Sequence, residues 1–237
     1  MVDTLPEAAI ELRTIAAEGE AMFDRQRALA RAKDVLLGMQ SHARRERGWA
    51  YRHGYRTANL ALWLRARLFP AAPEMDDVLY AAGLFHDCAK DDEQDHAAAG
   101  AIRAAEYLHG IVPEELLPAV TRAIHMHNKR GQPGTELEKL LQDADIIDHF
   151  GTIEVWLNVS YSVLGGEGPE RSLQFYDTEW QPMIAELNDL LNHDLSKAVF
   201  RDRIAYNDEF IRRLRIEAEG GVAAPEDLLP PPAGGAL

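Results

Sequence analysis

The stretch LFHDCAKDD, residues 84–92, ends an apolar run with an imidazole and a carboxylate side by side. His86 and Asp87 follow LYAAGLF, and Lys90 stands one helical turn beyond His86. Buried charge is costly unless it is paired or bound to a cation. Four other places break the helical, apolar pattern in the same way: His53, His96, the pair His125 and His127, and Asp145. The set is spread over five helices or helix ends, and a metal needs ligands that converge from separate elements. Imidazole and carboxylate donors suit Fe, Mn, Zn, Ni or Co rather than a cysteine-based structural zinc. Cys88, the only cysteine, reads as a small buried hydrophobe. Each residue alone has a plainer reading. A lone helical histidine is commonly just packed, Asp143 or Asp145 could cap a helix, and His96 after DEQD could simply start one. The adjacent His86 and Asp87 resist such a reading most.

The elements that must carry these residues read as helices throughout. Ala, Leu, Glu, Arg and Ile dominate, and apolar positions recur at three-to-four spacing. Residues 10–40 predict one long helix or two, with a break at Gly19. Further helices are expected over 51–69, stopped by Pro70 and Pro73, and over 76–87. Others follow over 95–110, ended by Gly110, over 113–128, opened by Pro113, and over 135–164. Residues 165–172 read as a loop, with helices again over 177–193 and 195–218. The Gly- and Pro-rich segment 219–237 reads as disordered. The expected fold class is all-α: an N-terminal helical arm over 1–45, which covers either a core edge or a homodimer partner, and a single helical bundle over 46–218.

The 237 residues suffice for one well-cored domain. No apolar run reaches the ~20 residues of a membrane span, and the acidic N-terminus does not read as a secretory signal. With one cysteine, a cytoplasmic setting is the default. A net charge of −14 argues against a duplex nucleic-acid partner. It leaves room for a small anion held by a local basic cluster. HARRERGWAYRHGYR (42–56) and NKRGQ (128–132) are two such clusters, each readable also as solvated surface.

The residues in this order resemble the HD superfamily of metal-dependent phosphohydrolases, over roughly residues 50–218. HGYRTANLALWL looks like the family's first-ligand helix, and AAGLFHDCAKDD is similar to its His-Asp-x-Gly-Lys signature, with Ala89 in place of the glycine. DHAAAGAIRAAEYL, AIHMHN and LLQDADIIDHFG resemble three further segments. The resemblance implies a helical HD-type bundle in which His53, His86, Asp87 and Asp145 bind a first divalent transition metal. Asp87 would then bridge to a second ion completed by His96 and His127, with His125 the fallback if the register differs. The implied activity is hydrolysis of a phosphoester or phosphoanhydride of a small molecule, a nucleotide above all, by a metal-activated hydroxide. HDCAK looks like the corresponding segment of a bacterial HD family that cleaves dinucleoside polyphosphates. A nucleoside mono- or triphosphate is an equal substrate candidate.

In that chemistry Asp87 and Lys90 are the catalytic candidates, Lys90 placing an ammonium on the phosphate. Its plainer role is a surface lysine paired with Asp91 or Asp92. Arg56, Lys129 and Arg130 are further phosphate candidates, Arg56 with a salt bridge to an acid as its alternative. Asp91 and Asp148 are candidate acceptors for ligand imidazoles. Two rival readings remain: a mixed-valence diiron oxygenase with the same ligand set, and a non-catalytic nucleotide-binding or signalling module.

Overall fold

The computed structural model describes residues 23–90, 95–132 and 134–224. The expected helix over 10–22, the acids Asp91 and Asp92, and the end of the tail from 225 lie outside the described residues. The fold is all-α. Its helices are α1 (Arg25–Leu36), α2 (Trp49–Leu68), α3 (Asp76–Phe85), α4 (His96–Leu108) and α5 (Leu117–Met126). They continue as α6 (Glu136–Asp148), α7 (Thr152–Leu164), α8 (Pro169–Thr178), α9 (Trp180–Leu190) and α10 (Asp194–Ala218). No strand occurs among the described residues.

The centre of the fold is the crossing of α2 and α3. A Cβ on Gly83 would lie 2.6 Å from the Ala58 Cα, and one on Gly54 would collide with the Leu84 carbonyl oxygen. Only glycine lets the two backbones approach so closely. The buried Ala58, Ala61, Ala81 and Ala82 extend the contact on either side. Helix α3 is buried over all eight residues from Val78 to Phe85, which explains its continuous apolar sequence. Ala28, Ala32 and Leu36, on one face of α1, pack into the same core, and Arg25 pairs with Asp77 at 2.8 Å. The described part of the N-terminal arm therefore covers a core edge.

Capping sets the entry of the helices that carry polar residues. The Asp95 side chain accepts from the Ala97 and Ala98 amides, which makes His96 the first residue of α4. Thr135 and Glu138 form a reciprocal capping box at the start of α6.

The helix expected to run to residue 40 stops at Leu36 and the one expected over 177–193 spans Trp180–Leu190; three further differences have a clear local cause. The helix expected from Pro113 begins only at Leu117, because Pro118 has no amide to donate and its ring would clash with the carbonyl four residues back. The helix expected over 135–164 is two helices. Gly151, at φ +76°, turns the chain between them, and the buried Asn207 holds that turn by accepting from its amide and donating to its carbonyl, both at 2.8 Å. The loop expected over 165–172 ends early, because Pro169 opens α8 at a first-turn position.

Gly83→Ala is expected to destabilise the chain by about 1–3 kcal/mol through backbone overpacking, measured by urea denaturation. An unchanged midpoint would contradict the close α2–α3 contact.

Candidate metal centre

The α2–α3 contact sets the site directly. His53 precedes Gly54 in sequence, and His86 lies three residues after Gly83 at the end of α3. Their rings come edge to face at 4.8 Å between centroids. Both imidazoles are fully buried. The His53 Nδ1–H donates to Asp148 Oδ2 at 2.7 Å, and the His86 Nδ1–H to the Gly83 carbonyl at 2.8 Å. The His127 Nδ1–H donates in the same way to the Ile124 carbonyl at 2.6 Å. A neutral imidazole that donates from Nδ1 presents a lone pair at Nε2.

These lone pairs face one another. His53 Nε2 is 3.1 Å from His86 Nε2 and 3.1 Å from Asp145 Oδ1, while His127 Nε2 is 3.2 Å from His96 Nε2. Acceptors turned toward acceptors repel unless a proton or a cation lies between them. The donor set therefore fits a cation, and imidazole with carboxylate suits a first-row transition metal.

Asp87 joins the two halves. Its Oδ2 lies 3.8 Å from Nε2 of both His53 and His86. Its Oδ1 lies 3.6 Å from His96 Nε2 and 3.7 Å from His127 Nε2. One half of the site thus comprises His53, His86, Asp87 and Asp145, and the other Asp87, His96 and His127. Within the donor triads His53–His86–Asp87, His86–His127–Asp145 and Asp87–His96–His127, the facing atoms all lie within 4.8 Å of one another.

Without a cation, a proton on His53 Nε2 takes the place between these acceptors. Burial would push the carboxyl of Asp87 up, but the charge of His86, the facing imidazole of His127 and the nearby Lys90 hold it well below the usual range. Asp145 behaves alike, through His53, His86 and Arg130. Burial would depress His53, yet its hydrogen bonds to Asp145 and Asp148 lift it to about 9. Asp148 lies at about 2, its burial outweighed by His53 and then Arg56.

The structure brings together all six residues singled out as ligands. His125 is exposed on α5, pointing away from the cluster, and His127 takes the inward position. Asp148 is the acceptor for the His53 ring. The cations differ in their surroundings. Arg56 is engaged by Asp148, with Nε–Oδ1 and Nη2–Oδ2 both at 2.9 Å. Arg130 Nη2 meets Asp145 Oδ2 at 2.5 Å, and Lys129 meets Asp95 at 3.1 Å. Lys90, 42 % exposed, reaches over the cluster, its Nζ 3.3 Å from Asp87 Oδ1 and 3.1 Å from His96 Nε2. Asp143, the alternative helix cap, sits inside α6 and accepts from the backbone amides of Asn192 and His193 at 2.8 and 3.2 Å, fixing the start of α10.

Sequence reasoning missed His149. Its ring meets His53 edge to face at 4.5 Å, and its Nδ1 lies 3.8 Å from Asp145 Oδ1. The signal was the four-residue spacing from Asp145, which puts both on one helix face.

Residues 50–150 match the family model of the HD domain. No curated protein matches the chain. Among solved structures, the chain is similar to Bacillus subtilis YpgQ in complex with ADP, at 17 % identity and a TM-score of 0.58, over 83 % of this chain and 99 % of that one. An HD-superfamily hydrolase from Bacillus thuringiensis matches at 23 % identity and a TM-score of 0.60, over 82 % and 96 % of the two chains. A predicted HD superfamily hydrolase from an uncultured Thermotogales bacterium matches at 19 % identity and a TM-score of 0.58, over 87 % and 99 %. At these identities the likeness is one of fold. Among the described residues no helix is long and apolar enough to cross a membrane.

A cation entering this site competes with the proton on His53. Because that proton is held up to about 9, His53 is protonated at neutral pH and must release it to become a donor. Metal uptake at pH 7 is expected to release about one proton per chain from this group. The apparent affinity should strengthen about tenfold per pH unit until pH approaches 9. Calorimetric metal titrations in buffers of different ionisation enthalpy measure this, and an affinity flat between pH 6 and 8 would contradict it.

Proposed function

We propose, from the match of residues 50–150 to the HD-domain family model and the geometry of the site, that this chain is an HD-type metal-dependent phosphohydrolase acting on a small phosphorylated substrate, a nucleotide above all. His53, His86, Asp87 and Asp145 would hold one divalent ion. His96 and His127 would hold a second together with the other oxygen of Asp87. The observation that carries this reading is the division of the Asp87 carboxylate, one oxygen toward each histidine pair. Ions held there would supply Lewis acidity toward a phosphoryl oxygen and lower the pKa of water toward ~7.

The chain's own residues do the rest. Asp148 holds the His53 ring by accepting its Nδ1–H, which keeps Nε2 directed into the site. Arg56 in turn holds Asp148 and is thereby a positioning residue rather than a phosphate contact. Arg130 orients Asp145 in the same sense. Lys90 is the phosphate ligand this reading favours: it stands at the open side of the cluster, and its three N–H groups can turn from Asp87 and His96 to phosphoryl oxygens as negative charge builds there. The nucleotide preference is supported by the fold shared with a protein solved in complex with ADP.

The test is phosphate release by anaerobically purified, metal-reloaded protein from a panel of phosphomonoesters, nucleotides and dinucleoside polyphosphates. Lys90→Ala is expected to retain its metal and lose about 10²-fold in kcat. Oxygen consumption by the iron-loaded protein with no phosphate release would move the assignment to an oxygenase. A Lys90→Ala variant with unaltered kcat would remove Lys90 from the mechanism.

A further inference from the structure

A cleft of about 310 Å³ adjoins the cluster, lined by Arg45 and His149, by apolar Leu157, Phe175 and Met183, and also by the carboxyl groups of Glu154 and Glu179. His149 also lies within the His53–Asp145–His149 donor group, so the cleft and the cluster share a wall. Arg45 stands on that wall. Its guanidinium lies 4.6 Å from the Trp49 ring, which also meets Arg56 at 5.1 Å, His53 stacked at 5.4 Å and His149 at 6.0 Å.

Arg45 differs from the other cations around the site. Arg56, Arg130, Lys129 and Lys90 each have a carboxylate within ion-pairing distance. Its neighbour Arg44 pairs with Glu167 at 3.0 Å. No carboxylate of the described residues pairs with Arg45, and its Nη1 is buried with no hydrogen-bond partner. Burial pushes the Arg45 guanidinium down, while the charge of Asp87 works against that. Arg45 as a whole is half-buried; a guanidinium with a buried, unpaired Nη1 is costly, and the cost is relieved by an anion that accepts its N–H groups.

The loop that presents Arg45 is firmly built. Gln40 Nε2 donates to the carbonyls of His42 and Arg45 at 2.5 and 2.7 Å. The Gly48 amide donates to the Met39 carbonyl at 2.8 Å, across a turn that only glycine tolerates, with Gly48 at φ +77°. The side chain therefore projects from a fixed backbone.

We propose that Arg45 and the adjoining cleft form a second phosphate subsite, in which Arg45 binds a phosphoryl group other than the one over the metal cluster and the cleft receives the organic part attached to it. The volume and the largely apolar walls suit a nucleoside-sized body. The substrate class is then a nucleoside phosphoanhydride rather than a simple phosphomonoester. This rests on the phosphohydrolase reading and narrows its substrate. The signal lay in the basic run 42–56, which left an anion site and a solvated surface both open.

The test is calorimetric binding of three non-hydrolysed probes to the metal-loaded full chain: inorganic phosphate, methylenediphosphonate, and adenosine 5′-(α,β-methylene)diphosphate. Arg45→Gln is expected to weaken both diphosphonates about 10- to 100-fold while phosphate changes by less than about threefold. Leu157→Glu, which adds a third carboxyl group beside Glu154 and Glu179 in the cleft, is expected to weaken the adenosine derivative alone. If Arg45→Gln unfolds, Arg45→Lys keeps the charge and loses the planar fork, and should show the same selectivity at several-fold. Equal losses on all three probes, unchanged diphosphonate affinity, or no diphosphonate binding by the wild type would overturn the subsite. An adenosine derivative bound no tighter than methylenediphosphonate would overturn the role of the cleft. Metal content of the same samples separates the two readings: wild-type protein that takes up no metal defeats the phosphohydrolase itself, whereas metal-loaded protein indifferent to Arg45 defeats only the subsite.

Discussion

A single buried carboxylate organises this protein. Asp87 is 4 % exposed and stands between four imidazoles, each 3.6–3.8 Å from one of its oxygens. Burying such a group is tolerable only where positive charge surrounds it. That requirement accounts for much of the architecture. The glycines at the α2–α3 crossing let His53 and His86 approach each other. The Asp95 cap starts α4 at His96, and α5 ends at the position that turns His127 inward. Four helices thus converge on one carboxylate, and a fifth, α6, closes the site with Asp145 and Asp148.

The charge around the site is ordered by distance from that centre. Asp87 is matched by histidines, whereas Asp145 and Asp148 face histidines on one side and arginines on the other, Arg130 with Asp145 and Arg56 with Asp148. Most of the basic residues near the site are spent in holding acids in place. Two cations fall outside the scheme in different ways: Lys90 reaches over the cluster while partly exposed, and Arg45 is half-buried with no carboxylate of the described residues paired to it.

Much of this could be read from the sequence, for a physical reason. Metal-donor chemistry shows as residue type, and helix periodicity shows as spacing, so the all-α class and the order His53, His86–Asp87, His96, His127, Asp145 were both legible. What was not legible depends on contacts distant in sequence. Whether Arg56 meets a phosphate or an acid is decided by Asp148, 92 residues away. The unpaired state of Arg45 depends on which acids fail to reach it. The break at Gly151 hid because Asn207 stabilises it from 56 residues downstream. The late start of α5 and the helix opened by Pro169 were readable in principle, since each follows from the local rules of one proline.

The most direct measurement is metal content per chain of anaerobically purified protein, wild type against Asp87→Ala. If one carboxylate joins two halves of a site, the wild type holds about two transition-metal ions and the variant loses both. A wild type that holds one ion, unaffected by loss of His96 or His127, would contradict the bridging role. One that takes up none after reloading with Mn, Fe, Ni, Co or Zn would contradict the metal centre altogether.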